Sequence, residues 1–198
     1  MKRLLGLVLL ITLLCCSSCY LSSGLYKVGS KGPAGGIIFY DKGSYSDGWR
    51  YLEAASEDLS SCVFGYYRNS YSATDKTVGT SSSVGSGESN TKALVNAMGS
   101  YVYTDSSGSY STSYYYAAKK CYDCTLGGKS DWYLPSIEEL KLMYTNLHSK
   151  DLGSFYSGYY WSSSERTSTS AYYVNFGEGT YSSADRSNSF HVRPIRSF

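Results

Sequence analysis

Positions 4–14 form one apolar run, relieved only by Gly6 and Thr12, and no later stretch of the chain matches it. Lys2 and Arg3 precede the run, and Cys15, Cys16, Ser17, Ser18 and Cys19 follow it. A basic start, a short apolar block and small residues make a bacterial export signal. The run is 11 residues long, whereas a helix crossing a bilayer needs roughly 20, so cleavage is expected rather than a lasting span. A polar stretch without periodicity then reaches Ser30. Turn material over 31–36 leads into Ile37-Ile38-Phe39-Tyr40, which reads as a strand. A second turn cluster over 41–47 precedes Trp49-Arg50-Tyr51-Leu52-Glu53. Their alternation predicts a hairpin, with Arg50 and Glu53 near solvent.

From 56 to 87 the chain is mostly Ser, Gly, Thr, Asn and Tyr, which predicts a long irregular excursion of the kind that often carries function. Asn90 is the expected N-cap of a helix with Ala93, Leu94, Ala97 and Met98 on one face, ending near Gly99. Tyr115, Ala118 and Lys119 suggest a second short helix over 114–121. The strongest local signal is Ser136 followed by Glu139, a capping box. The helix behind it should bury Ile137, Leu140, Tyr144 and Leu147 and stop before Asp151. Segments 159–162, 171–176 and 190–196 then read as a small antiparallel sheet with a turn at Gly177-Glu178-Gly179. Pro194 cannot donate to a ladder, so the last strand lies at an edge or leaves the sheet there. The pattern as a whole is α+β, with a short antiparallel sheet, two to three helices, long irregular loops and no internal repeat.

Composition adjusts this picture in two places. Removing the leader 1–18 takes Lys2 and Arg3 from the 18 basic residues, leaving 16 against 16 acidic ones. A neutral chain does not track phosphates, so nucleic acid is excluded as a partner. Leu, Ile, Val and Phe are sparse, but all 23 tyrosines and all 3 tryptophans lie beyond Cys19, and ring area can supply the missing burial. One domain over 31–198 follows, behind a tether over 19–30. Tyrosine mixed with serine and glycine is also the composition of recognition loops.

Candidate chemistry is thin. Cys62, Cys121 and Cys124 are the thiols beyond Cys19, and a bridge from Cys62 to Cys121 or to Cys124 would pin the irregular loop at a gain of about 2–4 kcal/mol. Cys121-x-x-Cys124 alone is weak evidence for redox chemistry or zinc. His148 and His191 stand without a partner in sequence, and no nucleophile elbow or phosphate loop occurs. Glu138 and Glu139 read as a solvated first turn, and Trp132 and Trp161 as core anchors. Neither a catalytic residue nor a metal or cofactor is therefore expected.

Several tracts carry a resemblance. Cys19 after two serines resembles the lipobox of bacterial lipoproteins, with Cys16 as the alternative, which implies a diacylglycerol on that thiol and a membrane as partner. The tracts at 35–40 (Gly-Gly-Ile-Ile-Phe-Tyr), 51–55 (Tyr-Leu-Glu-Ala-Ala), 127–136 (Gly-Gly-Lys-Ser-Asp-Trp-Tyr-Leu-Pro-Ser), 160–164 (Tyr-Trp-Ser-Ser-Ser) and 192–196 (Val-Arg-Pro-Ile-Arg), in this order, resemble the Legionella collagen-like protein C-terminal domain family, also called domain of unknown function 1566. That family is similar to C-type-lectin-like domains, which implies that fold and a recognition role toward a glycan or protein. The loops of the terminal sheet, with Tyr159, Glu165, Arg166, Asn175, Arg186, Asn188 and His191, are then the expected binding surface. The Glu-Pro-Asn, Gln-Pro-Asp and Trp-Asn-Asp signatures of calcium-dependent lectins are absent, and so are the paired active-site cysteines of formylglycine-generating enzymes. Tyr20, where an aspartate would favour inner-membrane retention, points to the outer membrane of the cell envelope. A structural envelope lipoprotein without a specific ligand is the alternative.

Overall fold

The alternation after Ile37 becomes two antiparallel strands, β1 (Ile37–Ser46) and β2 (Trp49–Ala54). In this computed structural model the described residues are 25–67, 75–99, 102–103, 110–111 and 115–198. The leader, Cys19, the start of the tether and the expected helix start at 114 lie outside them. β1 runs on through the polar residues expected to be a turn, because Asp47 and Gly48 reverse the chain by themselves, at φ 52° and 85°.

The chain continues as β3 (Leu59–Cys62), α1 (Gly87–Met98), β4 (Val102–Tyr103), β5 (Tyr110–Ser111), α2 (Ala117–Asp123), α3 (Ile137–Asn146) and a 3-10 turn (His148–Lys150). It ends as β6 (Tyr159–Glu165), β7 (Ser170–Asn175), β8 (Thr180–Asp185), β9 (Phe190–Val192) and β10 (Ile195–Ser197). The strands form a three-stranded sheet ordered β1-β2-β10, a five-stranded sheet ordered β3-β9-β6-β7-β8, and the small β4-β5 pair. The architecture is α+β, as the sequence pattern predicts. One pairing differs: β6 and β9 run parallel, at Tyr160 opposite His191. β8 carried no signal, since Thr-Tyr-Ser-Ser-Ala-Asp sits half exposed at an edge and needs no apolar face.

Pro194 marks the point where the chain changes sheets. β9 ends at Val192 in the larger sheet, and β10 begins at Ile195 beside β2 in the smaller one. The segment lacks a donor where a ladder would need one, and the Pro194 carbonyl instead accepts from Ala55 N–H at 2.9 Å.

The five-stranded sheet is covered on both faces. Trp161, Phe64, Val192 and Ala171 pack with Leu94, Met98, Ala118 and Cys121 of α1 and α2. Tyr160, Val174 and Phe176 pack with Ile137, Leu140 and Met143 of α3 and with Phe39 and Leu52 of the smaller sheet. Neighbouring residues of β6 thus serve different clusters, as strand alternation requires.

Five local expectations are corrected by the structure. α1 starts at Gly87 after Ser86, four residues before expected. Asn90 is buried within it, donating to the Ser81 carbonyl at 2.7 Å and Ser163 Oγ at 3.1 Å and accepting from Ser81 N–H at 2.8 Å. α2 begins later than expected, at Ala117, and runs to Asp123. Glu53 does not face solvent: its buried carboxylate accepts from Gly36 N–H at 2.8 Å and Ala34 N–H at 3.0 Å, and pairs with Arg196 at 3.2 Å. Arg50 is half buried and holds Asp41 at 2.8 Å. The Ser136 capping box is present as expected, but Glu139 is buried rather than solvated. Its carboxylate accepts from Ser136 N–H at 2.7 Å and from Gly85 N–H at 2.8 Å, so one side chain serves the starts of both α3 and α1. Burial pushes the Glu139 carboxyl above its ordinary range.

Candidate functional site

Rings flank the start of β6 on both faces. On the α3 side the His191 imidazole lies flat against Tyr156, with centroids 5.0 Å and planes 9° apart, and meets Tyr160 at 5.1 Å. Gly158 leaves room for it, since a Cβ there would sit 3.1 Å from the imidazole. On the other face Tyr159 packs against Tyr173 at 5.2 Å and Phe190 at 5.1 Å, and Phe190 covers the buried Trp161 at 4.4 Å. Tyr156 and Tyr159 remain 65% and 46% exposed.

Of the two exposed rings, Tyr156 stands on a hydrogen-bonded base. Tyr156 N–H donates to the Tyr160 hydroxyl at 2.9 Å, which donates to Asp58 Oδ2 at 2.6 Å. Asp58 is in turn gripped by the buried guanidinium of Arg193, which also donates to the carbonyls of Ala55 and Gly153 at 2.9 and 2.8 Å. Rings whose positions are set before binding lose little entropy when a ligand arrives.

The seven residues expected to form one binding surface divide between the two ends of β6. Tyr159, Asn175 and His191 lie at its start, where Tyr159 is opposite Asn175 in the register. Asn175 folds its amide oxygen onto Gly177 N–H at 2.9 Å and so shapes the β7–β8 turn. Glu165, Arg166, Arg186 and Asn188 lie at or beyond the other end, about 20 Å along the strand. Arg166 and Asn188 are exposed there. Glu165 and Arg186 are internal: their ion pair, at 2.8 Å, joins side chains that are 3% and 0% accessible. The Glu165 carboxylate also accepts from Val78 and Gly79 N–H at 2.9 Å each, fixing the loop before α1. Arg186 stacks over Phe64 at 5.1 Å, and burial lowers its proton affinity. Its Nε and Nη1 have no hydrogen-bond partner among the described residues.

The remaining candidates also fall into place. The three cysteines are free thiols in the structure. Cys62 and Cys121 share one apolar cluster, and the Cys124 thiol donates to the Cys121 carbonyl at 3.1 Å. His148 sits among Tyr144, Phe155 and Phe176 at 5.6, 6.0 and 5.2 Å. His191 Nδ1 is 3.4 Å from Ser61 Oγ, a loose contact. A cavity of about 340 Å³ lies elsewhere, between α1, α2 and the chain entering Tyr133. Its lining residues are spread over 88–133, and although Ser130 to Tyr133 belong to the tract at 127–136, nothing in that tract shows that it borders a cavity.

Residues 87–196 match the Lcl C-terminal domain family, a span of more than half of the chain. The chain belongs to that family. No curated protein matches it. The tract at 127–136 is the hub of this Lcl C-terminal domain. Gly127 and Gly128 turn at φ 57° and 70°, and a Cβ on Gly127 would come within 1.8 Å of the Ala34 carbonyl oxygen. Asp131 grips Arg196 with both oxygens, at 2.9 and 2.7 Å. The Trp132 indole N–H is shared by the Leu126 and Lys129 carbonyls at 3.1 Å each. Tyr133 bridges Ile195, Leu134 N–H donates to Thr91 Oγ1 at 3.0 Å, and Ser136 caps α3. Strand β10 at the end of the matched span pairs with β2, which precedes the match.

Proposed function

We propose that this Lcl C-terminal domain is an extracytoplasmic recognition module of the cell envelope, held at the outer membrane by acyl chains on Cys19. It binds a glycan or protein ligand and performs no catalysis. The observation that carries the reading is the two exposed rings at the start of β6, Tyr156, held through Tyr160 and Asp58, and Tyr159, packed on Tyr173 and Phe190 on the other face. Aromatic anchors on rigid elements are what recognition surfaces use for most of their energy. The C-type-lectin-like fold belongs to the same proposal. Its support is the family membership, together with the small sheet that joins strands from both ends of the domain. Among the described residues no helix is long and apolar enough to cross a membrane; the reading anchors the domain through acyl chains on Cys19.

The deciding experiment screens the mature protein and a Tyr156→Ala/Tyr159→Ala variant against glycans and envelope or host proteins. Both rings are exposed, so the variant should keep the fold while losing at least tenfold in affinity. No ligand for either protein would favour the structural lipoprotein instead, and equal binding by both would take the ligand away from the β6 rings. Intact mass of the native chain should show loss of residues 1–18 and a diacylglycerol on Cys19. A free, unprocessed N-terminus overturns the anchoring.

A further inference from the structure

We infer that Leu25, Val28 and Leu152 form a lipid-contacting face, on which the domain lies against the leaflet that holds its acyl chains. This rests on the anchor at Cys19 proposed above and goes beyond it by fixing which side of the domain meets the membrane.

Exposure singles the face out. Isolated apolar side chains are ordinary on a protein surface. In a chain poor in aliphatics their placement is informative, because among the described residues every other exposed large apolar side chain is a tyrosine, whose hydroxyl can bond water. The three aliphatic ones, 83%, 42% and 36% accessible, meet at one place. Leu25 and Val28 are three positions apart, and Leu152 reaches the next residue, since a Cβ on Gly29 would sit 3.3 Å from Leu152 Cδ1. The backbone beneath is pinned. Gly29 N–H donates to the Ile38 carbonyl at 2.8 Å, and the Tyr26 ring packs on Tyr51 and Phe198 at 5.4 and 5.3 Å. Leu152 N–H donates to the Leu147 carbonyl at 3.1 Å, and Arg193 holds the carbonyls of Gly153 and Ser154.

What covers the face follows from where the chain is tied. Leu25 is six positions after Cys19, so even a fully extended chain keeps it within roughly 20 Å of the acylated residue. A tether this short holds the leaflet at high effective concentration beside the face, and a contact too weak to recruit free protein then suffices. Charge agrees with lipid. The exposed Lys27 and Lys150 flank the aliphatic side chains and outnumber Asp151, which suits anionic headgroups. Tyr156 is four positions beyond Leu152, at most about 14 Å along the chain, so the rings at the start of β6 open near those headgroups.

The test reconstitutes the acylated mature chain in vesicles of phosphatidylethanolamine and phosphatidylglycerol with brominated acyl chains. Trp fluorescence of Val28→Trp and Leu152→Trp should be quenched at least twofold more than that of the parent or of Tyr122→Trp, an exposed position on α2 across the five-stranded sheet. Trypsin cutting after Lys27 frees the domain, and the vesicle-bound parent should be cut at least fivefold more slowly than Leu25→Ser/Val28→Ser/Leu152→Ser. All three positions are exposed, so that variant should keep its melting temperature, and the unanchored Cys19→Ser forms of both should be cut at equal rates. A parent chain without acyl groups that fails to float with vesicles removes the anchor and this face together. An anchored chain with equal quenching at all positions, or equal cleavage of parent and variant, leaves the anchor standing and overturns the face alone. A dimer of the Cys19→Ser chain in sedimentation, abolished by the triple substitution, would give the face to a second copy instead.

Discussion

Three arginines near the C-terminus each end on a carboxylate far away in sequence: Arg186 on Glu165, Arg193 on Asp58, and Arg196 on Glu53 and Asp131. A residue with five donors and a fixed plane can satisfy several buried acceptors at once, which Lys cannot. Removing one partner strands the other. Arg193→Met leaves Asp58 buried without its cation and should cost about 3–5 kcal/mol in urea unfolding, whereas Asp58→Asn should cost less because the guanidinium keeps the carbonyls of Ala55, Gly153 and Ser154 as acceptors. Equal small losses for both would show that water replaces the guanidinium. The cysteines give a second check at this scale. Burial pushes the Cys62 and Cys124 thiols up to about 11, and Cys121 well above its ordinary value. Alkylation by iodoacetamide at pH 8 should therefore be slow in the native protein and complete after unfolding without reductant. Failure to label after unfolding would mean that two of the three are bridged.

Helix starts are the points where elements meet. α3 begins on Ser136 and α1 beside it, and Glu139 serves both. Ser136→Ala removes one cap and should cost about 1 kcal/mol. Gly87→Ala is the sharper test. Helix propensity alone would make it stabilising by about 1 kcal/mol. The Cβ would nonetheless meet Glu139 Oε2 at 2.3 Å and the Leu134 carbonyl at 2.9 Å. Overpacking of this kind costs about 1–3 kcal/mol, so the melting temperature should fall, and a rise would contradict the packing described. Ser162, Ser163 and Ser164 show the same principle in a strand. They are fully buried and bond to Tyr172, Asn90 and Ser81, joining β6 to elements on either side.

Across the molecule, acid stability is set by opposing carboxylates. Hydrogen bonds from Arg196 and Arg50 hold Asp131 and Asp41 below their ordinary value of 3.8. Their contribution is present above pH 3.8 and is lost as pH falls through the lowered values. Glu139, pushed upward by burial, works in the other direction: its contribution is complete below its ordinary 4.5 and declines as pH rises through the higher folded value. Asp131→Asn should therefore flatten the fall of melting temperature below about pH 4 while leaving the profile above pH 6 parallel to the parent. An unchanged acid limb would show that the Asp131–Arg196 pair is screened away.

Sequence by itself determined the elements whose signal is local: the first hairpin, the capping box at Ser136, the turn at 177–179, the break at Pro194, and the tracts that mark the family. Each rests on a backbone preference or a short periodicity, and neither needs a distant partner to be read. Tertiary structure alone decided where the polar residues went. Glu53, Glu139, Glu165 and Arg186 look solvent-seeking in sequence, yet burial is tolerated once backbone donors and opposite charges from distant segments surround them. For the same reason the seven expected ligand contacts separated to the two ends of β6, Tyr156 joined His191, and the cavity at Trp132 formed from residues spread over 88–133. A cavity and an ion pair are properties of distances between segments, and a linear pattern contains none of those distances.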